Sequence, residues 1–232
     1  MGTQASLHLR GHDLDSAAVT AVFDDLRAAD ALFSTYRPDS QVTALRRNEL
    51  PRDRWHPWLA EVVALCEEAR ERTEGYFDAW LPGGFDPSGL VKGWATERAA
   101  RHVTGFDHYL NVGGDLTSRI ADDAPPWRVA IENPADHSTF LTVLNLRTGA
   151  VATSGTAARG AHIVNPHDGT TPTGLLSVTV TGPRLLWADV FATAAFARGG
   201  PDVEDWVRTR APGYRVAALS TEDSHGNTEL TR

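Results

Sequence analysis

Cysteine is all but missing from this sequence. Cys66 stands alone among 232 residues, which excludes an intrachain disulfide and a cysteine-built zinc cluster and fits a reducing compartment. Long apolar runs are missing as well. The opening MGTQASLHLRG lacks the roughly 7–15-residue apolar stretch of a secretory signal, and no later segment is long and apolar enough to span a bilayer. These absences predict a cytoplasmic protein with no membrane partner. Basic excess is the third thing lacking: 22 Lys and Arg face 30 Asp and Glu, for a formal charge of -8 and a pI near 5.5. A nucleic-acid or anionic-lipid partner needs a basic face, so both are excluded as expectations. A polyanionic ligand would have to be met locally, by a metal ion or a helix N-terminus.

What is present is ordinary globular composition, 41% hydrophobic and 22% charged, enough to bury a full core in one domain over residues 1–232. Val22, Leu26, Ala29 and Phe33 fall at helical spacing after a capping stretch at 13–16. A second helix is expected from Pro57 to a stop at Gly75, turning Leu59, Val62, Val63, Cys66 and Ala69 inward. A third opens at Asp86-Pro87-Ser88 and runs to about Val103. The period then changes to alternation in WRVAIEN, FLTVLNL and LLSVTVTG, which predicts strands. Helix returns over 185–198, and a closing strand over 214–219 precedes a polar tail from about 220 that is expected to be mobile. Helices and strands mix without regular alternation, so the expected class is α+β with a mixed sheet and packed helices.

Four segments carry residues capable of chemistry. Asp189 and Thr193 in WADVFATAAF are four apart and share a helix face. Carboxylate plus hydroxyl suits a hard cation such as Mg²⁺, although such a pair is usually just a polar face. The neighbours are apolar, however, so a charge at Asp189 requires a partner. In FDPSGLVKG, Asp86 and Pro87 read equally as an ordinary helix start and as a phosphate-binding turn whose free N–H groups and small glycines admit a ligand, with Lys92 beside it. In GAHIVNPHDG, His162 is either a structural imidazole or a general base for a hydroxyl nucleophile. In FSTYRPDS, Tyr36 and its hydroxyl-rich neighbours either stack a ring ligand or close the first helix.

In order and over nearly the whole chain, these segments resemble the ApbE family of FAD:protein FMN transferases. The matching pieces are MGT, FSTYRPDSQVTAL, EGYFD, FDPSGLVKGWATERAA, YLNVGGDL, WRVAIENP, VATSGT, HIVNPHDG and ADVFATAAF. The resemblance implies a single α+β fold related to the tunnelling fold. It further implies Mg²⁺-dependent transfer of FMN from FAD to a Ser or Thr hydroxyl of an acceptor flavoprotein, with AMP leaving. Asp189, Thr193 and the carbonyl of Gly89 match metal ligands, with Val91 a neighbouring possibility for the backbone ligand. Met1, Tyr36, Tyr76, Phe77, Asp78, Asp86, Lys92 and Ile163 match FAD-site positions, and His162 is given the role of taking the hydroxyl proton. FAD hydrolysis to FMN and AMP, and FAD binding or storage without chemistry, are the competing readings. The segments matching Tyr76–Asp78 and Asp86–Lys92 nearly abut here, where family members usually have some tens of residues. The resemblance therefore implies a compact form, without export signal or lipid-anchor cysteine, whose wall around the adenine end is missing or built differently.

Overall fold

The computed structural model describes residues 3–11, 15–136, 138–156 and 163–221. Met1, His162 and the tail beyond residue 221 lie outside these, so the expectations placed on them are not addressed by the fold. Mixed helix and sheet bear out the α+β class.

In chain order the elements are β1 (Ala5–Arg10), α1 (Ser16–Phe33), α2 (Gln41–Arg46), α3 (Pro57–Arg72), β2 (Trp80–Leu81), β3 (Gly84–Phe85) and α4 (Ser88–Ala100). There follow β4 (Asp107–Val112), β5 (Asp115–Arg119), β6 (Trp127–Glu132), β7 (Phe140–Leu146), β8 (Gly149–Gly155) and β9 (Leu175–Gly182). The chain closes with α5 (Leu185–Arg198), α6 (Val203–Arg210) and β10 (Arg215–Ser220). Strands β1-β4-β5-β8-β9-β10 form an antiparallel sheet in that order, so the two ends of the chain supply its two edges. β2–β3 and β6–β7 are separate two-stranded hairpins.

The helices start and stop where local chemistry requires. The Asp15 carboxylate accepts from the Ala17 N–H at 2.8 Å and caps α1. Pro57 opens α3, and the Gly75 N–H closes it on the Arg70 carbonyl at 2.8 Å with φ +83°, a left-handed cap that favours glycine. The third helix runs as α4 to Ala100 and ends in a 3₁₀ turn over Arg101–Val103. Its half-in residue is Pro87, with Asp86 one position earlier accepting from the Ser88 N–H at 3.0 Å, so Asp86 closes the turn before the helix rather than serving as its cap residue.

The core lies between helices and sheet. α4 packs on α5, and α5 packs on β8 and β9. Twelve of the fourteen residues of α5 are buried, so this helix has no solvent face. Gly93 permits the α4–α5 crossing: a Cβ there would stand 2.8 Å from the Leu185 carbonyl oxygen and 2.9 Å from the Leu186 Cα. Cys66 is 2% exposed, as its helical phase predicts. No helix among the described residues is long and apolar enough to cross a membrane.

Candidate functional site

α5 places Asp189 and Thr193 a turn apart, pointing toward the N-terminal half of α4. Asp189 is 2% exposed, and its Oδ2 accepts from the Gly93 N–H at 3.0 Å. Thr193 Oγ1 lies 3.2 Å from Ser154 Oγ on β8. Gly89, in the first turn of α4, lies flat against this hydroxyl: a Cβ on it would sit 3.1 Å from Thr193 Oγ1 and 3.3 Å from the Phe77 ring. The backbone of α4 thus meets the hydroxyl and carboxylate side chains of α5 at close range. Val91, two residues further along α4, is buried in the core.

The partner that Asp189 requires comes from two directions. Lys92 Nζ stands 3.9 Å from Asp189 Oδ1 and 2.7 Å from Oδ2 of a second carboxylate, Asp115, which is 1% exposed. Asp115 is also fixed by the Thr153 N–H, which donates to its Oδ1 at 3.1 Å. Burial pushes the Asp189 carboxyl well above the usual carboxylate range. The neighbouring Asp115 pushes the same way, and Lys92 with the Gly93 N–H pulls back. With both carboxylates ionised, the single ammonium would leave one buried negative charge uncompensated, so Asp189 keeps its proton unless a cation takes the proton's place. The donors are all oxygens, which suits a hard cation, and among the described residues no group of three or more His, Cys, Asp or Glu gathers that could hold a metal ion by itself.

These groups open into a cavity of about 940 Å³. Tyr36, Tyr76, Phe77 and Ile163 line it as ring and aliphatic walls, and Asp78, Asp86, Lys92, Gly89, Asp189 and Thr193 as its polar part. Tyr36 is 93% exposed, an aromatic ring standing at the cavity wall without protein cover. Tyr76 packs edge-on against His167 and Trp206. Two arginines brace the acidic walls. Arg46 reaches Asp86 at 2.8 Å and the Phe85 carbonyl at 2.8 Å, while Arg70 meets Asp78 at 3.1 Å. The short connection between these acidic residues folds as the β2–β3 hairpin, with Trp80 opposite Phe85 and Leu81 opposite Gly84, and Leu81 forms part of the wall. The compact segment thus contributes Leu81 to the cavity lining.

Sequence reading did not single out Asp115, Ser154, Thr153, Arg46 or Thr3. For Asp115 a signal existed, in NVGGD: Gly113 and Gly114 have φ +61° and +94° and make the two-residue turn from β4 to β5, which sets Asp115 at the start of β5. Thr3 lies against this turn, too close for any Cβ on Gly113.

The sequence model of the ApbE family matches residues 1–83 and 80–218. Among relatives, an Escherichia coli (strain K12) FAD:protein FMN transferase is 32% identical over 151 residues, 59% of this chain and 42% of that protein. A Klebsiella pneumoniae (strain 342) protein of the same name is 32% identical over 137 residues, 53% of this chain and 39% of its own length. The matches thus span less than half of these relatives. Among solved structures, the ApbE protein of Thermotoga maritima superposes with a TM-score of 0.79 at 20% identity, covering 98% of this chain and 97% of that one. The flavin transferase ApbE of Vibrio cholerae gives 0.76 at 20% identity, covering 97% and 96%. At such identity the likeness establishes the fold, and the family match over nearly the whole length establishes membership: this chain belongs to the ApbE family.

Proposed function

We propose that the chain is a magnesium-dependent FAD:protein FMN transferase, moving FMN from FAD to a Ser or Thr hydroxyl of an acceptor flavoprotein and releasing AMP. The names of the E. coli and K. pneumoniae relatives support this reading. The observation that carries it is the cavity itself, which joins aromatic walls to a buried, charged floor of Lys92, Asp115, Asp189 and Thr193. Its volume of about 940 Å³ lies at the upper end of small-molecule sites, roughly 300–1,000 Å³, as a dinucleotide requires. We take the chain as one catalytic unit in a cytoplasmic setting; a sheet built from both ends of the sequence and a single buried thiol support that view.

Asp189, Thr193 and the Gly89 carbonyl would hold the magnesium ion, with the fit resting on two buried carboxylates that share one ammonium and on the oxygen character of the donors. Bound there, the ion would neutralise charge on the pyrophosphate. Lys92 adds the protein's own cation to the same floor, and Tyr36, Tyr76 and Phe77 offer faces for a flat ring system. Asp78 and Asp86, pinned by Arg70 and Arg46, present carboxylate oxygens to hydroxyl or N–H groups of the ligand. In the reaction the acceptor oxygen bonds to the FMN-side phosphorus, the bond from that phosphorus to the bridging oxygen breaks, and AMP departs with that oxygen. We assign the acceptor proton to His162.

The test is to incubate the protein with FAD and Mg²⁺, with and without an acceptor carrying a Ser/Thr motif, following AMP and acceptor mass. Acceptor-dependent AMP with a covalent FMN adduct, lost in Asp189→Ala, is the expected result. AMP formed without acceptor would make the protein a hydrolase, and intact bound FAD in both tubes would leave a flavin-binding protein.

A further inference from the structure

Lys92 is a long, flexible cation placed between two buried carboxylates, and it does not treat them alike. It makes a 2.7 Å contact with Asp115 and stays 3.9 Å from Asp189. The first is a close ion pair and the second lies at the outer limit of one. Asp115 can hold the ammonium firmly because it is itself fixed. It follows the Gly113–Gly114 turn, is 1% exposed, and accepts the Thr153 N–H from the neighbouring strand through its other oxygen. A lysine stem has several rotatable bonds and a compact charge, so without Asp115 the ammonium would settle on the nearest remaining buried anion, Asp189.

Resting on the reading of this cavity as a FAD site, we propose that Asp115 is a positioning residue: it draws Lys92 off Asp189 and holds the ammonium where it meets the ligand's phosphates. Asp115, 1% exposed at the cavity floor, acts through Lys92. Asp189 is thereby left as a ligand instead of the partner of a permanent internal salt bridge.

The prediction is one of non-additivity, which a simple structural role does not produce. The full chain is compared as wild type, Asp115→Asn, Lys92→Gln and the double variant, reading FAD affinity by quenching of flavin fluorescence, turnover by AMP release, and melting temperature. Asp115→Asn and Lys92→Gln are each expected to weaken FAD binding about tenfold, the double variant no more than Lys92→Gln alone, and Asp115→Glu, which restores the charge, to recover part of the loss. Unchanged FAD affinity in Asp115→Asn, or losses that simply add in the double variant, would overturn the proposal. Should Asp115→Asn show no melting transition, the double variant against Lys92→Gln decides alone: equal affinity supports the proposal and a further loss refutes it. A wild type that binds FAD but releases no AMP would remove the transferase reading while leaving the affinity cycle to judge Asp115.

Discussion

The backbone N–H of Gly93 donates to Asp189 Oδ2 at 3.0 Å, so the glycine that lets α4 and α5 cross is also a fixed partner of a buried carboxylate of the site. Packing and chemistry therefore share one atom group. Gly93→Ala would put a Cβ within 2.8 Å of the Leu185 carbonyl oxygen and 3.1 Å of the Asp189 Cβ, forcing the helices apart. A loss of about 2 kcal/mol in a urea titration is expected, since backbone cannot yield as a flexible side chain can. FAD turnover should fall more than the unfolded fraction accounts for.

Asp189 makes stability depend on pH in an uncommon direction. Its folded carboxyl titrates above the ordinary carboxylate value because burial, followed by Asp115, disfavours the anion. The folded state therefore binds the proton more tightly than the unfolded chain. This contribution is fully present below the ordinary carboxylate range and is lost as pH rises to the raised value. In metal-free protein, the stability difference between wild type and Asp189→Asn should shift against the wild type as pH increases through that window. A difference independent of pH would show that Asp189 is ionised throughout.

Ser154 is a partner of Thr193, 3.2 Å from its hydroxyl, and fixes the direction of that oxygen. If Thr193 holds magnesium as proposed, Ser154→Ala should raise the magnesium concentration needed for half-maximal AMP release about tenfold, as loss of an outer partner of a metal ligand commonly does. Thr193→Ala should raise it at least as much, with melting temperature in both close to wild type. A magnesium titration of AMP release reads the effect.

Gly113 and Gly169 offer a matched pair, with φ +61° and +73°. A Cβ on Gly169 meets nothing within 4 Å, whereas one on Gly113 runs into the Thr3 hydroxyl and Cβ. Both alanine variants carry left-handed strain of about 1–3 kcal/mol. Gly113→Ala should cost more in thermal unfolding, and it alone should disturb FAD binding, because Thr3 and Asp115 flank that turn.

Burial pushes the Cys66 thiol far above its ordinary value, with Asp78 and Asp86 adding to the effect. Maleimide should fail to label the native protein and label it stoichiometrically in denaturant. Rapid labelling of native protein would show that α3 opens.

What was legible in the sequence was mostly local. The 3.6-residue spacing of Val22, Leu26, Ala29 and Phe33 and the apolar register of Cys66 both became buried faces as expected. Asp189 announced itself by being charged among Ala, Val and Phe, and its partners are indeed there. The identity of those partners was not legible, because Gly93 and Lys92 lie about a hundred residues away and Asp115 reaches them only through sheet pairing. Strand β1 was overlooked: its residues alternate over just six positions, and it exists by pairing with β4, whose sequence lies far along the chain. The short helices α2 and α6 were missed for a related reason, six and eight residues being too few to show a period. The cavity itself is a property of loops and hairpins meeting, which no window of sequence contains.

The enclosure of α5 sets how the site can breathe. Amide protons around 189–193 sit in a helix with no wet side, so they should exchange with solvent only when the whole molecule unfolds. Asp189 and Thr193 are therefore held in place without contribution from fraying of their helix. The β2–β3 and β6–β7 hairpins, which stand apart from the main sheet and also line the cavity, should exchange their amide protons sooner than α5 does.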